Sequence, residues 1–122
     1  MPASKQLPPL SEQEWQDKIV EEARHAGWVV CHHGPARTNE GWVTPVRYDG
    51  KGFPDCVFVN TARWLLLFVE FKTDKGKLSS EQHSWANWLE TIEGATPDVV
   101  KYYVWRPAAE SEIIEYLTNG ST

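Results

Sequence analysis

The stretch Trp64-Leu65-Leu66-Leu67-Phe68-Val69-Glu70-Phe71-Lys72 decides the fold. Its apolar positions do not alternate with polar ones, so both faces of the strand it predicts must be covered, as in the centre of a sheet packed on both sides. Just upstream, Cys56-Val57-Phe58-Val59 is a second β-rich run, and Asn60-Thr61-Ala62-Arg63 is short enough to join the two as a hairpin. Downstream, Asp74-Lys75-Gly76-Lys77 turns the chain and Ser79-x-x-Gln82 opens a helix with a capping box. Trp85, Trp88, Leu89 and Ile92 recur as that helix's buried stripe, and Gly94 with Pro97 ends it. Val99 to Trp105 reads as a last strand, and Ala108 to Leu117 as an acidic helix closed by Asn119-Gly120.

Toward the N-terminus, His33 to Phe53 is rich in Gly, Pro, Asn and Thr and reads as a long loop. Trp28 to Cys31 reads as a short strand before it. Ser11-x-x-Glu14 caps a helix from Ser11 to Ala26, with Trp15, Ile19, Val20 and Ala23 at helical spacing and Gly27 as its left-handed stop. The predicted order is α-β-β-β-α-β-α, an α/β mixed sheet flanked by helices. Residues 1–10, with three prolines and no periodicity, are expected to be a flexible lead-in, residues 11–118 one domain and residues 119–122 a tail.

At 122 residues the chain has room for a single core. Its 41% apolar and 24% charged content excludes wholesale disorder. Twelve Lys and Arg against 17 Asp and Glu leave a net charge of −5, which excludes nucleic-acid binding by bulk positive potential. Much of the acid is confined to Glu12, Glu14, Asp17, Glu21 and Glu22 on the first helix and Glu110, Glu112 and Glu115 on the last. The longest apolar run, Trp64 to Val69, is far short of the roughly 20 residues that span a bilayer, and Met1 to Pro9 has no signal-like apolar core. The expectation is a soluble cytoplasmic protein with no membrane partner. Cys31 and Cys56 lack CxxC spacing and are expected to be buried thiols in a reducing compartment.

The chemistry rests on charges placed where the pattern tolerates them least. Glu70 and Lys72, two apart on a strand, share a face with Leu66 and Phe68. Burying ionised groups costs several kcal/mol each unless they are paired or hold a metal. Taken alone, E-x-K is more simply an ion pair at an exposed strand end, since the tripeptide is common by chance. Gly52-Phe53-Pro54-Asp55 tips the balance, because hairpin pairing brings Asp55 beside Glu70 at the same sheet end. Asp55, Glu70 and the backbone carbonyl of Phe71 would offer a hard cation, Mg2+ or Mn2+, its oxygen ligands. Lys72 would then orient or deprotonate the attacking water and offset charge on a phosphorane. That set suits phosphodiester hydrolysis.

Gly52-Phe53-Pro54-Asp55, Phe68-Val69-Glu70-Phe71-Lys72 and Gly76-Lys77-Leu78-Ser79-x-x-Gln82 together resemble the PD-(D/E)XK nuclease superfamily, specifically its VRR-NUC (virus-type replication-repair nuclease) branch. The likeness spans about residues 11 to 107, including Gly27-Trp28 and Tyr103-Val104-Trp105-Arg106-Pro107. It implies a restriction-endonuclease-like fold. It also implies Asp55, Glu70 and the Phe71 carbonyl as metal ligands, Lys72 as the catalytic lysine and Gln82 as a supporting catalytic-site residue. Many superfamily members place a glutamate on the first helix eleven residues before its closing glycine, where this chain has Gln16. Gln16 can position a water or a ligand but adds no charge, so one bound cation is expected rather than two. Glu12, a turn earlier, also faces inward on that reading.

The resemblance further implies a Mg- or Mn-dependent endonuclease of bacterial or phage origin, acting on branched or flapped DNA in replication, repair or recombination, with homodimerisation supplying paired cuts. The competing reading is a non-catalytic DNA-binding or adaptor module that keeps the fold. Arg37, Arg47, Lys51, Lys75 and Lys77 fall in the long loop or the turn after the catalytic strand and are candidate phosphate contacts, as is His33. Trp42 stands in the long loop without a periodic reason for burial.

Overall fold

A computed structural model describes residues 10–33, 36–38, 41–43 and 47–119, the side chains of 36–38 and 41–43 excepted. In chain order its elements are α1 (Glu12–His25), β1 (Val29–His32), β2 (Ala36–Thr38), β3 (Gly41–Val43), β4 (Cys56–Asn60), β5 (Leu65–Phe71), α2 (Ser80–Ala95), β6 (Val100–Trp105) and α3 (Glu110–Asn119), with a 3-10 turn at Pro107–Ala109. The continuous apolar run of β5 lies inside a four-stranded mixed sheet ordered β1-β4-β5-β6. It pairs antiparallel with β4 and parallel with β6. The α/β order α-β-β-β-α-β-α is the one the sequence predicts, with β2 and β3 added between β1 and β4.

Alternation divides β5 between two packed layers. Leu67, Val69 and Phe71 point to one side and join Cys56 and Phe58 of β4, all with no exposure. There they meet Trp15, Ile19 and Ala23 of α1 and Ile113 and Leu117 of α3. Each such side chain contributes about 1.5–3 kcal/mol by leaving water. Phe68 and Glu70 point the other way, toward α2, where Phe53 packs edge-on against both Phe68 (6.0 Å) and Trp85 (4.9 Å). Both predicted capping boxes form, Ser11 with Glu14 and Ser79 with Gln82. Gly27, at φ 96°, ends α1 as expected.

Four expectations need correction. The long loop contains the antiparallel pair β2–β3, whose three-residue strands are too short to leave a periodic signature. Trp88 and Ile92 are each 52% exposed rather than buried. The inward face of α2 is instead centred on Gln82, Ala86, Leu89 and Glu93, because two polar residues find partners on the sheet. Gln82 bonds Glu70, and Glu93 accepts the Tyr102 N–H at 2.8 Å. Cys31 is exposed while Cys56 is buried, since Cys31 lies on the edge strand β1. Trp64 does not begin β5 but occupies the turn before it, at φ 56° and 78% exposed. No helix among the described residues is long and apolar enough to cross a membrane.

Candidate active site

The antiparallel register of β4 and β5 places the two acids. Cys56 stands opposite Val69, so the next positions outward are Asp55 and Glu70, at the end of the sheet where β4 begins and β5 finishes. Asp55 accepts the Phe71 N–H through Oδ2 at 2.8 Å, and its carboxyl is hydrogen-bonded to that of Glu70. A strand residue turns its N–H and C=O toward the same neighbour, so the Phe71 carbonyl also faces the Asp55 side. Lys72 turns the other way, its N–H donating to Trp105 C=O at 3.0 Å.

Glu70 is only 2% exposed. Burial first, then the hydrogen bond and negative charge of Asp55, push its carboxyl up to about 9; Lys72 pulls it back and Glu12 adds to the rise. Glu70 therefore keeps its proton near neutrality, as a buried carboxyl set against a second one does. Burial and the same Asp55 charge push the neighbouring Cys56 thiol up to about 12, leaving it protonated and inert.

Gln82 carries two tasks in one side chain. Its Oε1 accepts the Ser79 N–H at 2.8 Å, closing the capping box, while its Nε2 donates to Glu70 Oε1 at 3.2 Å. Gln16 is buried in α1 at 4% exposure, next to Trp15, whose ring packs on Phe71 on the face away from Glu70. No hydrogen bond joins Gln16 to Asp55 or Glu70. The helix charge that reaches Glu70 is that of Glu12. Glu12 lines a cavity of about 520 Å³ beside Lys72, together with Trp15, Lys18, Asp74 and Glu110.

His33 lies at the same sheet end. Its N–H donates to the Asp55 carbonyl at 2.6 Å, its ring meets Phe53 edge-on at 5.1 Å, and Nε2 is 3.7 Å from Cys31 Sγ. Lys75 and Lys77 are exposed on the turn after β5. Arg106, quoted above only as part of a motif, latches that turn by donating to the carbonyls of Thr73 and Gly76, both at 2.6 Å. Arg47 is exposed. Lys51, 77% exposed, pairs with Glu81 at 3.1 Å and is partly neutralised by it. The side chains of Arg37 and Trp42 lie outside the described residues.

Among the described residues, no group of three or more His, Cys, Asp and Glu side chains comes together to hold a metal. Two carboxylates and a carbonyl are nevertheless a fit for Mg2+ or Mn2+, which protein sites commonly hold by one or two carboxylates with waters completing the octahedron. The Glu70 carboxyl, buried and raised beside Asp55, marks where positive charge is wanted. No curated protein and no solved structure matches the chain. The model of the VRR-NUC domain family matches residues 9–104, nearly the whole of the sheet and both helices around the acid pair. The chain belongs to the VRR-NUC family.

Proposed function

We propose that this protein is a Mg- or Mn-dependent DNA endonuclease that hydrolyses phosphodiester bonds, with branched or flapped DNA as its substrate class. The observation that carries the reading is a nearly fully buried glutamate sharing a hydrogen bond with a second carboxyl, with a lysine two residues on and a glutamine holding it from the next helix. Such an arrangement weakens the fold unless it serves a cation. Asp55, Glu70 and the carbonyl of Phe71 would hold that cation, which polarises a phosphate and lowers the pKa of a bound water.

The chain's own residues account for the rest. The Gln82 amide fixes one oxygen of Glu70 and so orients its carboxyl in the site. The Lys72 ammonium, on the same face two residues along, orients the attacking water and offsets charge growing on the phosphate. His33, beside Asp55, and Lys75 and Lys77, on the latched turn, contact flanking phosphates. Paired incisions at a junction need two such sites, which a two-fold dimer supplies; light scattering that returns only monomer on and off DNA would remove that part of the proposal.

Cleavage of supercoiled, flapped and four-way DNA with magnesium, run beside Glu70→Ala and Lys72→Ala, tests the whole. Wild type alone should cut. Equal cutting by all three proteins overturns the assignment of these residues, and DNA binding without cutting by wild type supports a non-catalytic module.

A further inference from the structure

We propose that Gly52 is a positioning residue for the Glu70 carboxylate, acting through Gln82. The inference rests on the nuclease reading above for its purpose but not for its geometry. Gly52 adopts φ +85°, and a Cβ added there would lie 2.5 Å from the backbone carbon of Glu81 and 2.7 Å from the backbone nitrogen of Gln82. Ordinary contact begins at 3.4 Å, so the first of these is about 0.9 Å too close. Both are main-chain atoms in the first turn of α2 and cannot swing aside as a side-chain tip can.

The segment around Gly52 is pressed onto that helix end by three further contacts. The Trp85 indole N–H donates to the Asp49 carbonyl at 2.9 Å, the Phe53 ring meets Trp85 at 4.9 Å, and Lys51 pairs with Glu81 at 3.1 Å. On its other side the segment runs straight into Pro54, which is fully buried, and Asp55. One short stretch thus starts β4 with the first acid and abuts the residue that holds the second. The Gln82 Nε2 to Glu70 Oε1 bond, at 3.2 Å, is already at the long end of the N–H···O range. A side chain at position 52 wedges the first turn of α2 away from the sheet and opens that bond.

The test has a metal-free arm and a metal arm. In metal-free protein, the side-chain amide signals of Gln82 are assigned by their loss in Gln82→Ala and compared among wild type, Glu70→Ala and Gly52→Ala. The expected result is that Gly52→Ala moves them to their Glu70→Ala positions. The indole N–H signals of Trp15 and Trp28, bonded to Glu110 and Leu117 on the other side of the sheet, should stay in place. Gln82 signals unmoved from wild type overturn the proposal. If the indole signals show that Gly52→Ala does not fold, Trp85→Phe replaces it: it keeps a ring against Phe53 and loses the bond to Asp49, and it should shift the Gln82 signals part of the way. No shift overturns the proposal equally.

In the metal arm, Mn2+ titration should show Gly52→Ala weakening affinity 10-fold or more, the usual effect of losing a partner of a ligand, with no further loss in the Gln82→Ala background. Losses that multiply would mean Gly52 does not act through Gln82. Wild type that neither binds Mn2+ nor cuts DNA would sink the nuclease reading, while the amide signals would still decide the role of Gly52.

Discussion

Replacing Glu70 by glutamine should stabilise the metal-free protein at alkaline pH and leave it nearly unchanged in mild acid. Glutamine mimics the protonated carboxyl: its amide can donate to Asp55 and its carbonyl can accept from Gln82, as Glu70 Oε1 does at 3.2 Å. The groups facing this position are Asp55 from the mouth of β4, Lys72 on the same strand, Glu12 from α1 and Gln82 from α2. All four stay in place in the variant, so the comparison reads residue 70 together with its coupling to Asp55.

The folded carboxyl lies at about 9 against an unfolded value of 4.5, so the folded state keeps a proton that the unfolded chain has lost. A raised carboxyl pKa means stability that is complete below the unfolded value and drains away as pH rises toward the folded one. In that window the slope is about 1.4 kcal/mol per pH unit, or about 3 kcal/mol between pH 6 and pH 8. For a domain of this size that is roughly 10 °C in Tm.

The assay is thermal melting of both proteins across pH 6 to 8 in a chelator, then with saturating magnesium. Wild type should lose ground to Glu70→Gln as pH rises, and magnesium should reverse the trend for wild type only, because the cation replaces the proton. Parallel melting curves in the chelator would refute the argument that Glu70 is held protonated by burial and by Asp55.

Three further outcomes follow from other parts of the molecule. Lys75→Ala with Lys77→Ala should weaken DNA binding and lower the salt slope by about 2, near 0.9 per lost phosphate contact; an unchanged slope in filter binding would show that these lysines are merely solvated. Phe58→Ala removes a ring with no exposure that meets Trp105 at 5.4 Å and Trp28 at 6.3 Å, and should cost about 3–5 kcal/mol in urea unfolding; a loss under 1 kcal/mol would contradict the core described above. Trp64→Asn places a residue that tolerates left-handed backbone at φ 56°, and with 78% of Trp64 already exposed it should raise stability by about 1 kcal/mol; a lower Tm would mean the indole contacts outweigh the backbone strain.

What the sequence discloses is whatever local chemistry controls. The two capping boxes, the Gly27 stop and the central strand β5 all depend on residues a few positions apart; the caps and the stop form as read, and β5 forms one residue shorter at each end. That Asp55 and Glu70 reach the same sheet end was legible because the two strands are joined as a hairpin, although the turn lies at residues 61–64, one residue later than read. The face of α2 was not. Periodicity favoured Trp88 and Ile92, but the helix turns Gln82 and Glu93 inward because their partners, Glu70 and the Tyr102 N–H, arrive from other strands. The latch from Arg106 to Thr73 and Gly76 and the contact of Gly52 with α2 are likewise tertiary, about 30 residues apart in the chain, and leave no spacing to read. The exposure of Cys31 followed from β1 being an edge, which strand order alone determines.

The two neighbours of β5 also differ in how soon the chain can supply them. β4 is one tight turn away, whereas Leu66 meets Val100 only across a sequence separation of 34 that includes the whole of α2. Closing that larger loop is slower, so the hairpin forms while Glu70 is still hydrated, and the helix and β6 that strip its water come afterwards. Desolvation of the acid then falls late on the folding route. A cation bound there should lengthen the lifetime of the native state and scarcely alter the speed of reaching it, so magnesium should lower the unfolding arm of a chevron plot and leave its refolding arm in place.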